Sequence, residues 1–327
     1  MPAAGRASGA LYGLAIGDAL GMPAQLLSRR QVTDRWGPLL TGFEPAPPGH
    51  PIAAGLPAGA VTDDTEQAVL LARMLVKGHG TLDPRDWAQA LIGWERDMAD
   101  RGSLDLLGPS TKRALSAILS GTPPEEAGRH GDTNGAAMRI TPVGIAFDAG
   151  LVDRVVEASR VTHNTSVALA GAAAVAAAVS AGVGGGGVPA AIDAGVVAAT
   201  LAAGRGHWVA GADVAARIRW AVTLVSDMAP ERAAELIGTL VGTSPATQES
   251  VPAAFAVLSV VPDDPWRACL LAASLGGDTD TIAAIAGAIA GACHGQSAFP
   301  PHAVATIDAH GFALPALAGS LLALRSR

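Results

Sequence analysis

Two short stretches of this chain crowd carboxylates and hydroxyls together at places where a helix should begin. One is Thr62-Asp63-Asp64, followed by the apolar spacing of Ala68, Val69, Leu71, Ala72 and Leu75. The other is Gly276-Gly277-Asp278-Thr279-Asp280-Thr281, followed by a run of Ile, Ala and Gly to Cys293. A helix start needs one side-chain oxygen to cap its unpaired N–H groups. The plain alternative for the first stretch is a capping box, with Thr62 or Asp63 as cap and Glu66 reaching back. Both stretches hold more oxygens than capping uses. Two such helix mouths converging on one pocket would offer Mg²⁺ or Mn²⁺ the hard oxygen shell it prefers, with positions left for water and substrate. A helix N-terminus carries partial positive charge, so only ionised carboxylates held there make such a site attractive to a cation.

Other polar positions stand nearby in the reading. His163 lies at a helix start in Thr162-His163-Asn164, where a histidine serves structure more often than catalysis. Arg139, after Met138, suits a buried carboxylate as well as a phosphate. The glycine turns Gly276-Gly277 and Asn134-Gly135 could present backbone N–H groups to phosphate, a weak signal by itself.

These residues need elements to hold them, and the composition says which kind. Of 327 residues, 50% are hydrophobic and only 4% aromatic, so the apolar content is mostly Ala, Val, Leu and Gly. That bias suits close helix–helix packing, and no segment sustains strand alternation. The expected architecture is all-α, one orthogonal helical bundle over residues 1–327. A net charge of -7 with no Lys/Arg block argues against nucleic acid as a partner. Cys269 and Cys293 sit in apolar runs and read as reduced core residues of a cytoplasmic protein. Residues 166–192 are uncharged, but Gly184–Gly187 and Pro189 interrupt them, which predicts two core helices and no membrane span.

In chain order, helices are expected at Ala7–Leu20, Ala68–Lys77, Asp83–Trp94, Lys112–Leu119, Val152–Val161, Ala210–Asp227, Glu231–Leu240, Val251–Val260, Trp266–Leu275 and Ile282–Cys293. Loops are expected after Pro23, through Gln25 and Arg30, across the Gly- and Pro-rich residues 37–59, and over Gly131–Arg139.

The ordered set Gly17-Asp18-Ala19-Leu20-Gly21, Thr62-Asp63-Asp64-Thr65, Asn134-Gly135-Ala136-Ala137-Met138-Arg139, Thr162-His163 and Gly276-Gly277-Asp278-Thr279-Asp280-Thr281 resembles the ADP-ribosylglycohydrolase family. The motifs span nearly the whole chain in that family's order. The resemblance implies a binuclear Mg²⁺ centre, with Mn²⁺ as a substitute, and hydrolysis of the C1″ glycosidic bond of an ADP-ribosyl group. By matching position it implies Thr62, Asp63, Asp64, Asp278, Asp280 and Thr281 as metal ligands. The family usually carries a catalytic Glu a few residues after the first motif; the matching position here is Gln25, an amide that cannot take a proton. An Asp often found two before the Gly of a Gly-x-x-Thr motif is here Leu106, with Asp105 one step out of register.

The resulting expectation is a Mg²⁺-dependent glycosidase acting on an ADP-ribosylated protein or a ribosylated small molecule, as a monomer or small homo-oligomer. Asp63, Asp64 and Asp278 are the acid–base candidates, with Gln25 at the fourth catalytic position. Asn134, Gly135, Met138, Arg139, His163, Gly276 and Gly277 are the substrate-binding candidates, and Ser103, Ser110 and Thr111 could add to the phosphate site. Two other readings compete. An all-α diphosphate lyase would need an aromatic-lined pocket, which this chain is poor in. A non-catalytic ADP-ribose binder would explain Gln25 but not the retained acids.

Overall fold

The computed structural model describes residues 2–101 and 107–325. Among these the secondary structure is helical, with isolated bridges pairing Thr133 with Ala246 and Thr165 with His207. The order begins α1 (Ala3–Gly21), α2 (Arg29–Trp36), α3 (Asp63–Lys77), α4 (Pro84–Asp100), α5 (Pro109–Leu119) and α6 (Pro124–Ala127). It continues α7 (Gly135–Arg139), α8 (Thr141–Ala146), α9 (Leu151–Ser159), α10 (Ser166–Val183), α11 (Val188–Ala202) and α12 (Val214–Leu224). It ends with α13 (Pro230–Leu236), α14 (Thr247–Val260), α15 (Pro265–Ala273), α16 (Thr279–His294), α17 (Pro301–Asp308) and α18 (Leu314–Arg325). The expected all-α architecture is what forms, around one contiguous core from Ala7 to Leu324.

The centre of that core is the pair α1 and α16, which run antiparallel in very close contact. A Cβ on Gly9 would meet the Gly291 carbonyl oxygen at 2.3 Å, and one on Gly13 would meet that of Gly287 at 2.0 Å. Gly17 stands in the same way against Ala283 O at 2.0 Å, and Gly21 against Thr279 O at 2.3 Å. Spacing of four residues places these glycines along one face of α1, so the backbones touch along the whole interface. Interior helix glycines such as Gly9, Gly13, Gly17, Gly287 and Gly291 cost about 1 kcal/mol each in helix propensity, and the tight backbone contact has to offset that. The antiparallel register sets the C-terminal end of α1 beside the N-terminal end of α16. The Thr279 hydroxyl donates to Gly21 O at 2.8 Å and fastens the two ends.

The uncharged segment forms α10 and α11 as expected. Helix α10 is long and apolar enough to cross a bilayer by length and composition, and 89% of it is buried in the fold. Cys269 and Cys293 are free and buried in the core.

Several expectations about elements are corrected. The residues after Pro23 are not all loop, because Ser28 and Gln31 form a reciprocal capping box that starts α2. Gly135 to Arg139 is a short helix and not a loop, followed directly by α8. The C-terminal helices α17 and α18, and the short α6, were not anticipated; each begins at or beside a proline, which sits well in a first helical turn.

Candidate functional site

Thr62–Asp64 and Asp278–Thr281 meet, as their shared chemistry suggested. The N-termini of α3 and α16 face each other across a cleft of about 170 Å³. Its walls include Asp63, Asp278, Asp280 and Thr281 from the two helix mouths, Asn134, Gly135 and Met138 from α7, and Gln25 beyond α1. Thr62 and Asp64 lie just beneath, 1% exposed each. The Thr281 hydroxyl donates across the junction to Asp64 Oδ2 at 3.4 Å.

The capping-box alternative does not form. Neither Thr62 nor Asp278 caps its helix through a side chain, and Glu66 instead accepts from the Trp94 indole at 2.7 Å and pairs with Arg101. The start of α3 is capped by another helix. Asp18 of α1 accepts from the Thr62 N–H at 2.9 Å, the Thr62 hydroxyl at 2.7 Å, the Thr65 N–H at 3.1 Å and the Thr65 hydroxyl. These bonds satisfy the orphan donors of the first turn from outside, which leaves the Asp63 and Asp64 carboxylates for other work. Sequence reasoning does not single out Asp18 for this role, although a carboxylate inside the otherwise apolar α1 is a signal of it. Asp18→Asn would turn one acceptor oxygen into a donor facing these N–H groups. Amide exchange at Thr62 and Thr65 is then expected to speed up about tenfold, the loss of one net hydrogen bond, and turnover to fall with it. Unchanged exchange at these two amides would remove Asp18 as the anchor of α3.

The electrostatics of the cleft are strongly one-signed. Burial holds Asp64 well above the usual carboxylate range, and the neighbouring Asp280, Asp63, Asp18 and Asp278 push it further up. Asp18 and Asp278 are each pushed up to about 6, burial being the main cause, with hydrogen bonds from Thr65 and Thr62 and from Asn134 and Thr281 opposing it. Asp64 Oδ1 is buried with no hydrogen-bond partner. An uncompensated carboxylate oxygen in such a place is costly, and a hard cation is its natural complement. Among the described residues, no three His, Cys, Asp or Glu side chains already form a closed metal-ligand group.

Arg139 and His163 are not at the cleft surface, which corrects their expected part in substrate binding. Arg139 is 1% exposed and stacks over the Trp87 ring, donating to the Gln67 side-chain oxygen and the Thr162 hydroxyl. Gln67 in turn donates to Asp63 Oδ2 at 2.9 Å. Burial pulls Arg139 down to about 10 while Asp63 and Asp64 pull it back up, so it supplies positive charge behind the acids. His163 is fully buried, with Nδ1 bonded to the Thr162 hydroxyl at 2.8 Å and Nε2 to the Thr133 hydroxyl at 3.0 Å. Burial and then the Arg139 charge hold it well below the usual histidine range, which keeps the ring neutral. One buried chain therefore runs from Thr133 through His163, Thr162, Arg139 and Gln67 to Asp63. Its two ends line the cleft, and its middle stiffens the wall between them.

The glycine turns also serve a different purpose from phosphate capture. The Gly277 N–H donates to Leu27 O at 2.8 Å and the Asp278 N–H to Thr243 O at 2.7 Å. Gly276 and Gly277 both have φ near +80° and press against the backbones of Arg29 and Thr243, so they permit a tight turn that aims Asp278 into the cleft. Gly135 is needed because a Cβ there would sit 2.8 Å from the His163 ring. Asn134 spends its amide on Asp278 Oδ2 and Ser250 Oγ and so steers the acid. Ser110 is buried and does not line the cleft, whereas Thr111 does. Ser103, Asp105 and Leu106 lie outside the described residues. Sequence reasoning did not single out Thr133, Leu26 or Pro245, which complete the walls with Ile52 of the Pro-rich loop.

Comparison with known proteins adds an independent line. The ADP-ribosylglycohydrolase family model matches residues 2–327. The chain is 38% identical to Uncharacterized protein YegU of Escherichia coli (strain K12), over 93% of this chain and 92% of that one. It is 30% identical to ADP-ribosylarginine hydrolase Tri1 of Pseudomonas putida (strain GB-1), over 90% of this chain and 72% of the relative. A solved structure described as an ADP-ribosylglycohydrolase-related protein complex superposes with a TM-score of 0.69 at 26% identity, covering 98% of both chains. With its two acidic helix mouths on one cleft and this match from end to end, the chain belongs to the ADP-ribosylglycohydrolase family and is a glycosidic hydrolase.

Proposed function

We propose that this enzyme cleaves the C1″ glycosidic bond of an ADP-ribosyl group carried by a protein side chain or a small molecule, in a site that takes two Mg²⁺ ions, or Mn²⁺ in their place. The observation that carries the reading is the meeting of two acidic helix starts, neither capped by its own side chain, around the partnerless Asp64 Oδ1. These residues fit a hard divalent cation, and Thr62, Asp63, Asp64, Asp278, Asp280 and Thr281 would hold it. When bound, such ions polarise a water and neutralise charge on the substrate.

The chain's own groups do the rest. Asp278 is partly buried in the cleft wall with Oδ2 held by Asn134, and takes the proton from the attacking water as C1″ gains positive charge. The water oxygen bonds to C1″, the bond to the acceptor breaks, and the proton passes on to the departing acceptor atom. Asp63 is held from behind by Gln67 and Arg139 and keeps the geometry rigid through the step.

The name of the Tri1 relative makes ADP-ribosyl-arginine the first substrate to try. Release of ADP-ribose from ADP-ribosyl-arginine, ADP-ribosyl-serine and simple N-ribosides should be followed with and without Mg²⁺. Mg²⁺-dependent release from at least one is expected; none with any, or equal rates after chelation, would rule the reading out.

The same carboxylates make a prediction about pH and stability. Asp18 and Asp278 titrate near 3.8 when unfolded and near 6 in the fold, so between these values the folded protein binds more protons. Without divalent cations, stability is therefore expected to fall as pH rises through that window, with the loss complete above about 6. A cation that binds the ionised carboxylates opposes the loss. Added Mg²⁺ should raise the melting temperature more at pH 7.5 than at pH 4.5, as differential scanning fluorimetry can show.

A further inference from the structure

Gln25 leaves an amide donor open at the cleft. It lies in the wall beside Asp63, Asp278 and Asp280 and is 3% exposed. The Asp18, Asp278, Asn134, Gln67 and Arg139 side chains are all tied to protein partners. The Gln25 carboxamide is not: its Nε2 is buried without a partner. Its backbone is held firmly, with the Gln25 carbonyl accepting from His50 Nε2 at 2.8 Å and the adjacent Leu26 N–H bonded to Gly277 O at 2.7 Å. A buried amide donor left empty costs free energy comparable to a lost hydrogen bond, and the fold tolerates that cost at a cleft where a ligand completes it.

The chemistry of an amide narrows what that ligand group is. A carboxamide offers N–H donors at one end and an oxygen acceptor at the other, and it cannot ionise. A phosphate only accepts and a guanidinium only donates, so each satisfies one end. A hydroxyl donates and accepts, and a vicinal diol can fill both ends at once. Resting on the glycohydrolase reading above, we infer that Gln25 is a specificity-determining residue that holds hydroxyls of the ribose next to the scissile bond, and that it is not an acid–base catalyst. Acid–base work then stays with the carboxylates, and Gln25 selects for an intact ribose.

The test uses ADP-ribose and ADP as probes, because ADP lacks the second ribose. Their affinities for the wild-type protein, Gln25→Leu and Gln25→Met are measured by titration calorimetry with Mg²⁺ present. Gln25→Leu is expected to bind ADP-ribose about tenfold more weakly, the worth of one net hydrogen bond, while ADP binding stays unchanged. Gln25→Met keeps the length and removes both polar ends without adding charge, so it should show the same selective loss and covers the case in which the leucine variant misfolds. An equal loss for both probes, or no loss for ADP-ribose, overturns the assignment of Gln25. A wild-type protein that binds neither probe overturns the glycohydrolase reading itself and this inference with it.

Discussion

Asp64→Asn is expected to lower hydrolysis about a thousandfold, the several kcal/mol of charge stabilisation that such a site supplies, and to make the cation-free protein more stable. The two effects share one cause. Burial raises the pKa of Asp64 well above the usual carboxylate range, Asp280, Asp63, Asp18 and Asp278 push it further up, and its Oδ1 has no partner. Ionising it in the fold is therefore unfavourable unless a cation is present. An amide of the same shape removes that repulsion and also removes a ligand oxygen. The melting temperature of the chelated variant at pH 7.5 should exceed that of the wild type, and the rise produced by Mg²⁺ should shrink. A variant that melts lower in chelator would show that Asp64 serves the fold and not a cation. Proteins often hold strain of this kind where function needs it.

Enlarging Gly13 should have the largest effect on folding. A Cβ there would lie 2.0 Å from the Gly287 carbonyl oxygen, and one on Gly287 would lie 2.0 Å from that of Gly13. Neither neighbour can rotate away, because both obstructing atoms are backbone. Gly13→Ala is expected to cost about 3 kcal/mol, the upper range for overpacking, although Ala has the better helix propensity. Gly13→Val should prevent folding. Gly93 in α4 provides the opposite case: a Cβ there meets nothing within 4 Å. Gly93→Ala should therefore stabilise by about 0.5 kcal/mol. Urea denaturation of the two alanine variants compares the signs directly. A Gly13→Ala protein as stable as the wild type would mean that α1 and α16 do not meet backbone to backbone. Because the α1–α16 register also sets Asp18 against α3, the folded fraction of Gly13→Ala should lose activity as well.

The parts of the site that were legible in the sequence are those encoded locally. Thr62–Asp64 and Asp278–Thr281 each combine several oxygens with the start of an apolar helical run, and the excess over capping is visible without coordinates. Both clusters line or underlie the cleft. The all-α architecture followed equally from Ala- and Gly-rich composition and the absence of alternation. Helix α2 was missed because its signal is a Ser28–Gln31 capping box with one buried residue, Val32, and so too little periodicity to read. Helix α7 was missed because Gly135 and Asn134 are strong loop formers in isolation. Here the close approach of His163 requires the glycine.

Arg139 and His163 show the limit most clearly. Their residue types are equally at home on a phosphate or in a buried network, and only the positions of Gln67, Thr162 and Thr133 decide between the two. By itself the sequence determined which two stretches carry more side-chain oxygens than capping uses and that helices would carry them, because both properties depend on residue type and short-range spacing. The tertiary structure alone decided that α1 lies against α16, that Asp18 caps α3 from another helix, and that the Gln25 amide is left open at the cleft. Those facts depend on contacts between residues as far apart as Asp18 and Thr62, 44 positions, and Gly9 and Gly291, 282 positions (291 − 9), and no local pattern encodes which distant backbone a glycine will meet.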